Sequence, residues 1–380
     1  MKDLKTIAEK IIEKERKVAK RNADKIPYTT STPHVFDDWS SEDKINWWTN
    51  GFWGGMMWQL YNATHEDIFK EIAISVEDKL DRVLMSHIGL DHDNGFKWLP
   101  TSVAHFRLDN DHEAYNRAML AAGNLAGRFN ANGCFIRAWN DPGDGSKNTT
   151  GWAIIDCMMN LPLLYWASEK TKDPRFKAIA VAHADTAMKN FVREDGSVRH
   201  IVEFDPENGE YVRDYGGQGM ARGSSWTRGQ SWALYGFTLS YIHTGNEDYL
   251  KTAIRIADRF YERMPKDRLM PVDFDQPADS ANYDSTAAAI AACGFIALSD
   301  VCKNIETDVS GKSGTYREAA ERLIGLIDEF DCDYDPDHDE LLTMCSAAWS
   351  DEKHNFPIIY GDYFYIEAIW KLTGNELFIW

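Results

Sequence analysis

Trp226–Asp258, WTRGQSWALYGFTLSYIHTGNEDYLKTAIRIAD, reads as two helices of opposite character joined by a polar turn. The first half, through Thr244, is apolar nearly all round and carries the small residues Ala233 and Gly236. A helix of that kind is expected to be buried on every side. Gly245 then offers a left-handed stop and Asn246 a cap for the second helix. After Tyr249 the apolar residues Leu250, Ala253, Ile254 and Ala257 recur at helical spacing, with Lys251, Arg255 and Asp258 between them. The spacing predicts an amphipathic helix with one face to water.

The same hairpin recurs along the chain. Its turn and opening aromatic appear in LYNATHEDIFKEIAISV around Phe69, RLDNDHEAYNRAMLAAG around Tyr115 and ASEKTKDPRFKAIAVAH around Phe176. They return in SGKSGTYREAAERLIGL around Tyr316 and KLTGNELFIW around Phe378. Copies about sixty residues apart have the size of a helix pair. The preceding helices, such as WAIIDCMMNLPLLYWAS, STAAAIAACGFIALSDV and GDYFYIEAIWKL, are again apolar all round. Six buried helices alternating with six surface helices describe an inner ring within an outer ring. The expected fold is therefore all-α, an (α/α)6 barrel, and a linear solenoid is the alternative. No linker divides the chain, so residues 1–380 are expected to form a single barrel domain, although that length exceeds the usual ceiling for one core. SVRHIVEFDPENGEYV, residues 197–212, reads as a small β-hairpin across Pro-Glu-Asn-Gly. Residues 204–225 and 268–285 read as long loops, which in compact domains tend to be functional.

Bulk properties exclude some classes. The net charge of −19 leaves no field to attract phosphate, so neither nucleic acid nor an anionic membrane is an expected partner. The amphipathic, charged start MKDLKTIAEKIIEKERK is not a signal peptide, and no run is expected to span a bilayer. The six cysteines are scattered, with no CxxC pair, which points to free thiols in a reducing, cytoplasmic setting. The 14 tryptophans suit a helical core and equally a pocket that stacks on sugar rings.

Four constellations are candidates for chemistry. Asp156, flanked by Ile154, Ile155, Cys157 and Met158, sits where desolvation raises a carboxyl pKa and suits a general acid; the bland alternative is a helix cap. Asp91, His92 and Asp93 form either an acid/base pair or a simple Asx turn, and lack the companion ligands of a metal site. In YGGQGMARGSSWTRGQSW, Gln218, Trp226, Arg228 and Trp232 combine donors, a cation and ring faces. Arg228 either forks onto a carboxylate or satisfies helix carbonyls. DCDYDPDHDE, residues 331–340, lacks the glycine and terminal glutamate of a calcium loop and reads as a solvated surface loop.

At these residues the chain resembles the unsaturated glucuronyl hydrolases of glycoside hydrolase family 88. The resemblance runs over about residues 40–375. It rests on W-T-x-G-F-W (Trp48–Trp53), L-D-H-D-x-G-F (Leu90–Phe96), I-I-D-C-x-x-N-L-P-L-L (Ile154–Leu164), F-D-P-E-N-G (Phe204–Gly209), S-x-W-T-R-G-Q-x-W (Ser224–Trp232), D-S-x-A-x-A-I (Asp284–Ile290) and G-D-Y-x-Y-x-E-A (Gly361–Ala368). It implies the (α/α)6 barrel and hydrolysis with no metal and no cofactor. It implies Asp156 as acid/base and Asp93 as partner carboxylate, which when ionised would help keep Asp156 protonated. His92, His200, Gln218 and Arg228 become pocket residues, and Trp48, Phe52, Trp139 and Trp232 the aromatic lining. The chain departs from the family at Asn50, where some members have Asp, and near Ser346–Trp349, where an aromatic is missing.

The implied reaction removes a non-reducing terminal 4,5-unsaturated uronic acid from a small lyase-generated oligosaccharide of glycosaminoglycan type, by acid-catalysed hydration of its vinyl ether. The alternatives are an unsaturated rhamnogalacturonyl hydrolase acting on pectin fragments, a sugar epimerase, and a non-catalytic carbohydrate-binding protein.

Overall fold

A computed structural model describes residues 3–86, 89–143, 145–305 and 308–380. Six apolar helical segments form the inner ring. They are α2 (Phe52–Thr64), the segment α4 (Asn94–Trp98) and α5 (Ala104–Asp109) joined by a π-turn, α7 (Leu161–Thr171), α9 (Thr227–Thr244), α11 (Ser285–Lys303) and α13 (Ile359–Thr373). Around them stand α1 (Leu4–Arg21), α3 (Asp67–Ser86), α6 (His112–Gly127), α8 (Pro174–Asn190), α10 (Glu247–Arg263) and α12 (Ser313–Phe330). Each inner segment packs on the next, and α13 packs back on α2, so the ring closes as a solenoid would not. The fold is the expected (α/α)6 barrel.

The hairpin chemistry explains the repeat. Inner helices end in left-handed residues at His65, Asn110, Lys172, Gly245 and Gly374. Asp111, Asp173 and Asn246 then cap the next helix, accepting from the amides of Ala114, Arg175 and Asp248. Phe69, Phe176, Tyr249 and Tyr316 are buried where the hairpins meet. The inner helices have no exposed face for most of their length; α9 is buried from Thr227 to Ser240 without a break.

The sixth hairpin differs from the pattern. Among the described residues no helix follows Gly374. The outer position beside α13 is filled by α1, which buries Ile7, Ile11 and Val18 and packs on α13 and α3. Lys14 ties the seam by donating to the carbonyl of Asp333 at 2.7 Å and to that of Glu340. Residues after Gly374 turn inward instead. Trp380 is buried, donates to Glu367 at 2.7 Å and stacks on Phe364 with centroids 5.6 Å apart.

Two other expectations need correction. Ser285–Lys303 is long and apolar enough to cross a membrane by length and composition, but as α11 it is buried in the inner ring. The 331–340 loop is not simply solvated. Asp331 is buried and accepts from the amides of Thr343 and Met344, and Asp339 and Glu340 are buried as well. His34 and His338 stack at 3.6 Å, each with Nδ1 on a carboxylate, Glu340 and Asp333. The six cysteines are free.

The β content is small. β1 (Thr30–Thr32) pairs with β2 (Val35–Phe36), and β3 (Phe129–Asn130) with β4 (Phe135–Ile136). The expected hairpin is β6 (Ile201–Phe204) with β7 (Tyr211–Tyr215). It gains a third strand, β5 (Trp152–Ile154), antiparallel to β6. That strand runs directly into the segment carrying Asp156.

Candidate active site

The inner segments start at one mouth of the ring, and a cavity of about 630 Å³ opens there. Asp91, Asp93, Asp156, Gln218, Arg228 and Tyr360 contribute to its wall, with Trp48 and Trp139 as ring faces. The volume suits a small oligosaccharide.

Strand pairing brings Asp156 to His200. Ile154 lies opposite Ile201, and the Ile155 amide donates to the His200 carbonyl at 3.1 Å. Asp156 follows in a 3-10 turn, Ile155–Met159, and is not a helix cap. Its Oδ1 stands 3.9 Å from His200 Nε2. The Gln218 amide donates to His200 Nδ1 at 2.9 Å. A neutral imidazole that accepts at Nδ1 carries its proton on Nε2, so His200 aims an N–H towards Asp156. Neither Asp156 Oδ1 nor His200 Nε2 has a hydrogen-bond partner among the described residues. Gly217 permits this contact: its φ is +60°, and a Cβ there would lie 1.9 Å from His200 Nδ1.

Burial sets the electrostatics. It raises the Asp156 carboxyl from 3.8 to about 7, with Arg228 pulling the other way. The side chain is 18% exposed, towards the cavity. Burial lowers the His200 imidazole to about 3, and the nearby Arg228 adds to that, which keeps it a neutral donor.

The second carboxyl comes from the start of α4. Gly95 packs where a Cβ would lie 2.5 Å from Asn160 Cα. The Phe96 amide donates to Asn160 Oδ1 at 2.8 Å, and Asn160 Nδ2 donates to the Asp156 carbonyl at 3.1 Å. One asparagine thus ties the two acid-bearing segments together. Asp93 is itself raised, by burial first and then by the charges of Asp91 and Asp156. This runs against the expectation of an ionised Asp93: burial raises both carboxyls. Asp91 makes the expected Asx turn, accepting from the Asp93 amide at 2.9 Å, and both carboxylates line the cavity.

Other expected site residues fall differently. His92 is buried behind Asp93, with Nε2 3.4 Å from its Oδ1, and does not line the cavity. Burial lowers its imidazole to about 4. Phe52 and Trp232 are core: both pack on Phe96 and Phe364, and neither faces the cavity. Trp226 is also buried, between the His200 ring at 4.3 Å and the Arg228 guanidinium at 4.6 Å. Arg228 borders the cavity, but Asp284 Oδ2 at 2.6 Å, the Ser346 carbonyl at 2.6 Å and the Ala347 carbonyl occupy most of its donors. Those carbonyls belong to a loop rather than a helix, so the helix-carbonyl reading does not describe Arg228, which keeps its place on the cavity wall.

The sequence reading missed Tyr28, Asn46, Trp47, Asn140, Asp351 and Tyr360 on the wall. Tyr360 stands one residue before a quoted motif, and Trp47 beside Trp48, so adjacency was the available signal. Tyr28 and Asp351 lie in aperiodic loops and gave none.

A sugar-sized cavity in an (α/α)6 toroid, walled by indoles and holding a buried, protonatable carboxyl, defines an enzyme of the glycosidase class. The chain belongs to Glycosyl Hydrolase Family 88, whose model matches residues 14–296. It is 34% identical to the unsaturated glucuronyl hydrolase of Bacillus sp. (strain GL1), over 95% of this chain and 94% of that one. It is also 34% identical to the unsaturated chondroitin disaccharide hydrolase of Streptococcus pneumoniae, over 92% of this chain and 87% of that one. The crystal structure of the Bacillus sp. GL1 enzyme superposes with a TM-score of 0.86 at 33% identity, covering 96% of this chain and 94% of that one.

Proposed function

We propose that the enzyme removes the non-reducing terminal 4,5-unsaturated uronic acid from small oligosaccharides, and that Asp156 is its acid/base. The reading is carried by one observation: a carboxyl raised to about 7 faces the cavity with Oδ1 unpartnered, opposite the Nε2–H of His200. A protonated Asp156 gives its proton to C4 of the substrate. The C4=C5 π electrons form the new C–H bond, and the ring oxygen stabilises the resulting cation at C5. Water adds to C5 and yields its proton to the now ionised Asp156. The hemiketal opens and expels the leaving sugar. The anomeric carbon is not attacked, so the spacing rule for carboxylate pairs in ordinary glycosidases does not apply. Asp93 holds substrate hydroxyls, and His200 positions the group between itself and Asp156.

Loss of ultraviolet absorbance from the conjugated double bond tracks the reaction directly. Asp156→Asn is expected to lower turnover on the order of a thousandfold while the fold persists. In heavy water, deuterium is expected at C4 of the released product. Wild-type turnover in Asp156→Asn, or product without deuterium at C4, rejects the mechanism.

A further inference from the structure

Away from the cavity, His34, Asp333 and His338 gather in one place: one nitrogen from each imidazole and one Asp333 oxygen lie within 4.8 Å of one another. None of the three lines the catalytic cavity. His34 comes from the turn between β1 and β2, and its carbonyl accepts from the Asp339 amide at 3.1 Å. The other two come from the 331–340 loop, which α1 holds from behind. Lys14 donates to the Asp333 carbonyl at 2.7 Å, and Arg21 to the Pro336 carbonyl at 2.8 Å and to Asp339 Oδ1 at 2.6 Å. The cluster therefore sits on a fixed frame.

The two rings are set up as ligands. They stack with centroids 3.6 Å apart and planes 10° apart. His34 Nδ1 lies 2.7 Å from Glu340 Oε1, and His338 Nδ1 lies 2.6 Å from Asp333 Oδ2. A carboxylate only accepts, so each Nδ1 carries a proton and each neutral ring keeps a lone pair on Nε2. No described residue hydrogen-bonds either Nε2. A carboxylate behind an imidazole is the usual device for orienting a metal-binding histidine. Glu340 points to a ligand independently. It reaches into the cluster, is only 2% exposed, and its Oε2 has no hydrogen-bond partner among the described residues. The six carboxylates of the loop outnumber Lys14 and Arg21, which repels an anion and favours a cation.

We infer that His34, Asp333 and His338 bind one divalent transition ion, zinc in the first place, as a structural clasp between the β1–β2 turn and the 331–340 loop. Two imidazoles and a carboxylate suit zinc and its neighbours, whereas calcium and magnesium take oxygen ligands. Tetrahedral bonds of about 2.0–2.2 Å put ligand atoms roughly 3.4 Å apart, so the cluster contracts by up to about 1.4 Å on binding. The exposed His34 ring supplies that movement by turning out of the stack. Water completes the coordination, and the ion takes no part in the reaction at Asp156.

The full-length protein, stripped with a chelator, is titrated with zinc chloride by calorimetry. One equivalent is expected to bind and to raise Tm by about 2–5 °C at saturation, while calcium and magnesium do neither. His34→Gln combined with His338→Gln is expected to abolish both effects. His34→Gln alone, on the exposed turn, is expected to weaken binding at least about tenfold, and reads the same loss if the double variant does not fold. Cobalt(II) in place of zinc is expected to give visible bands without the thiolate charge-transfer absorption that binding at the exposed Cys134 would produce. Turnover is expected to be equal with and without the ion. An absence of stoichiometric binding, a thiolate band, wild-type affinity in His34→Gln, or turnover that depends on zinc overturns the inference.

Discussion

Asp156 combines a raised pKa with access to the cavity, and both consequences of that pKa are measurable. The acid must start protonated, so kcat/KM is expected to fall as pH rises through about 7. Stability moves the same way. The folded carboxyl binds its proton more tightly than an unfolded one at 3.8, so the unfolding free energy declines as pH climbs from about 4 to about 7. At about 1.4 kcal/mol per unit, the loss reaches roughly 4 kcal/mol at most. Urea midpoints at pH 5 and pH 8 read it: Asp156→Asn is expected to flatten the slope and to be the more stable protein at the higher pH. A slope unchanged by the substitution refutes the assignment. The flanking residues left Asp156 open to a helix-cap reading, and the motif I-I-D-C-x-x-N-L-P-L-L singled it out; its place inside a 3-10 turn excludes the cap. Phe52 and Trp232 were misread because an aromatic on a helix buried all round gives no sign of which side meets solvent. The residues that engage Arg228, Asp284 and the Ser346 carbonyl, were not legible because they are far away in sequence.

At the scale of elements, the site is assembled by close backbone approaches. Strand β5 delivers Asp156 beside His200, the residue just before β6, and α4 is pressed onto Asn160 through Gly95. Gly95→Ala places a methyl group against Asn160 backbone and is expected to cost about 1–3 kcal/mol through overpacking. It also moves Asp93 relative to Asp156, so turnover is expected to drop more than tenfold with a modest change in Tm. A variant with wild-type kcat and an unshifted Tm contradicts this tight-contact account. The alternation of buried and amphipathic helices was readable from periodicity, and so was the hairpin at Pro206. The third strand was not: Trp152–Ile154 is too short and apolar to be told from the helix after it.

At the scale of the whole molecule, six copies of the turn implied six consecutive helix pairs, and the described residues supply five and a half. The missing outer helix comes from the opposite end of the sequence. A charged amphipathic start reads equally well as a surface helix anywhere, so only ring closure reveals its place. Removing residues 1–21 uncovers the surfaces that Ile7, Ile11 and Val18 bury. At about 1.5–3 kcal/mol for each side chain, the loss is comparable to the net stability of an ordinary domain. The truncated protein is expected to bind a hydrophobic dye and to lose its cooperative thermal transition. A sharp transition within a few degrees of the full chain excludes α1 as the closing element.

That seam has a kinetic side. During synthesis α1 emerges from the ribosome long before its partner α13 has been translated, and must wait, apolar face uncovered, until the five hairpins between them have been made. Long-range pairings of this kind are slow to form and leave a nascent chain prone to aggregate. A circular permutant that begins at α13 and runs on into the present amino terminus would make the two helices neighbours in translation, and should reach the native state sooner with the same catalytic mouth.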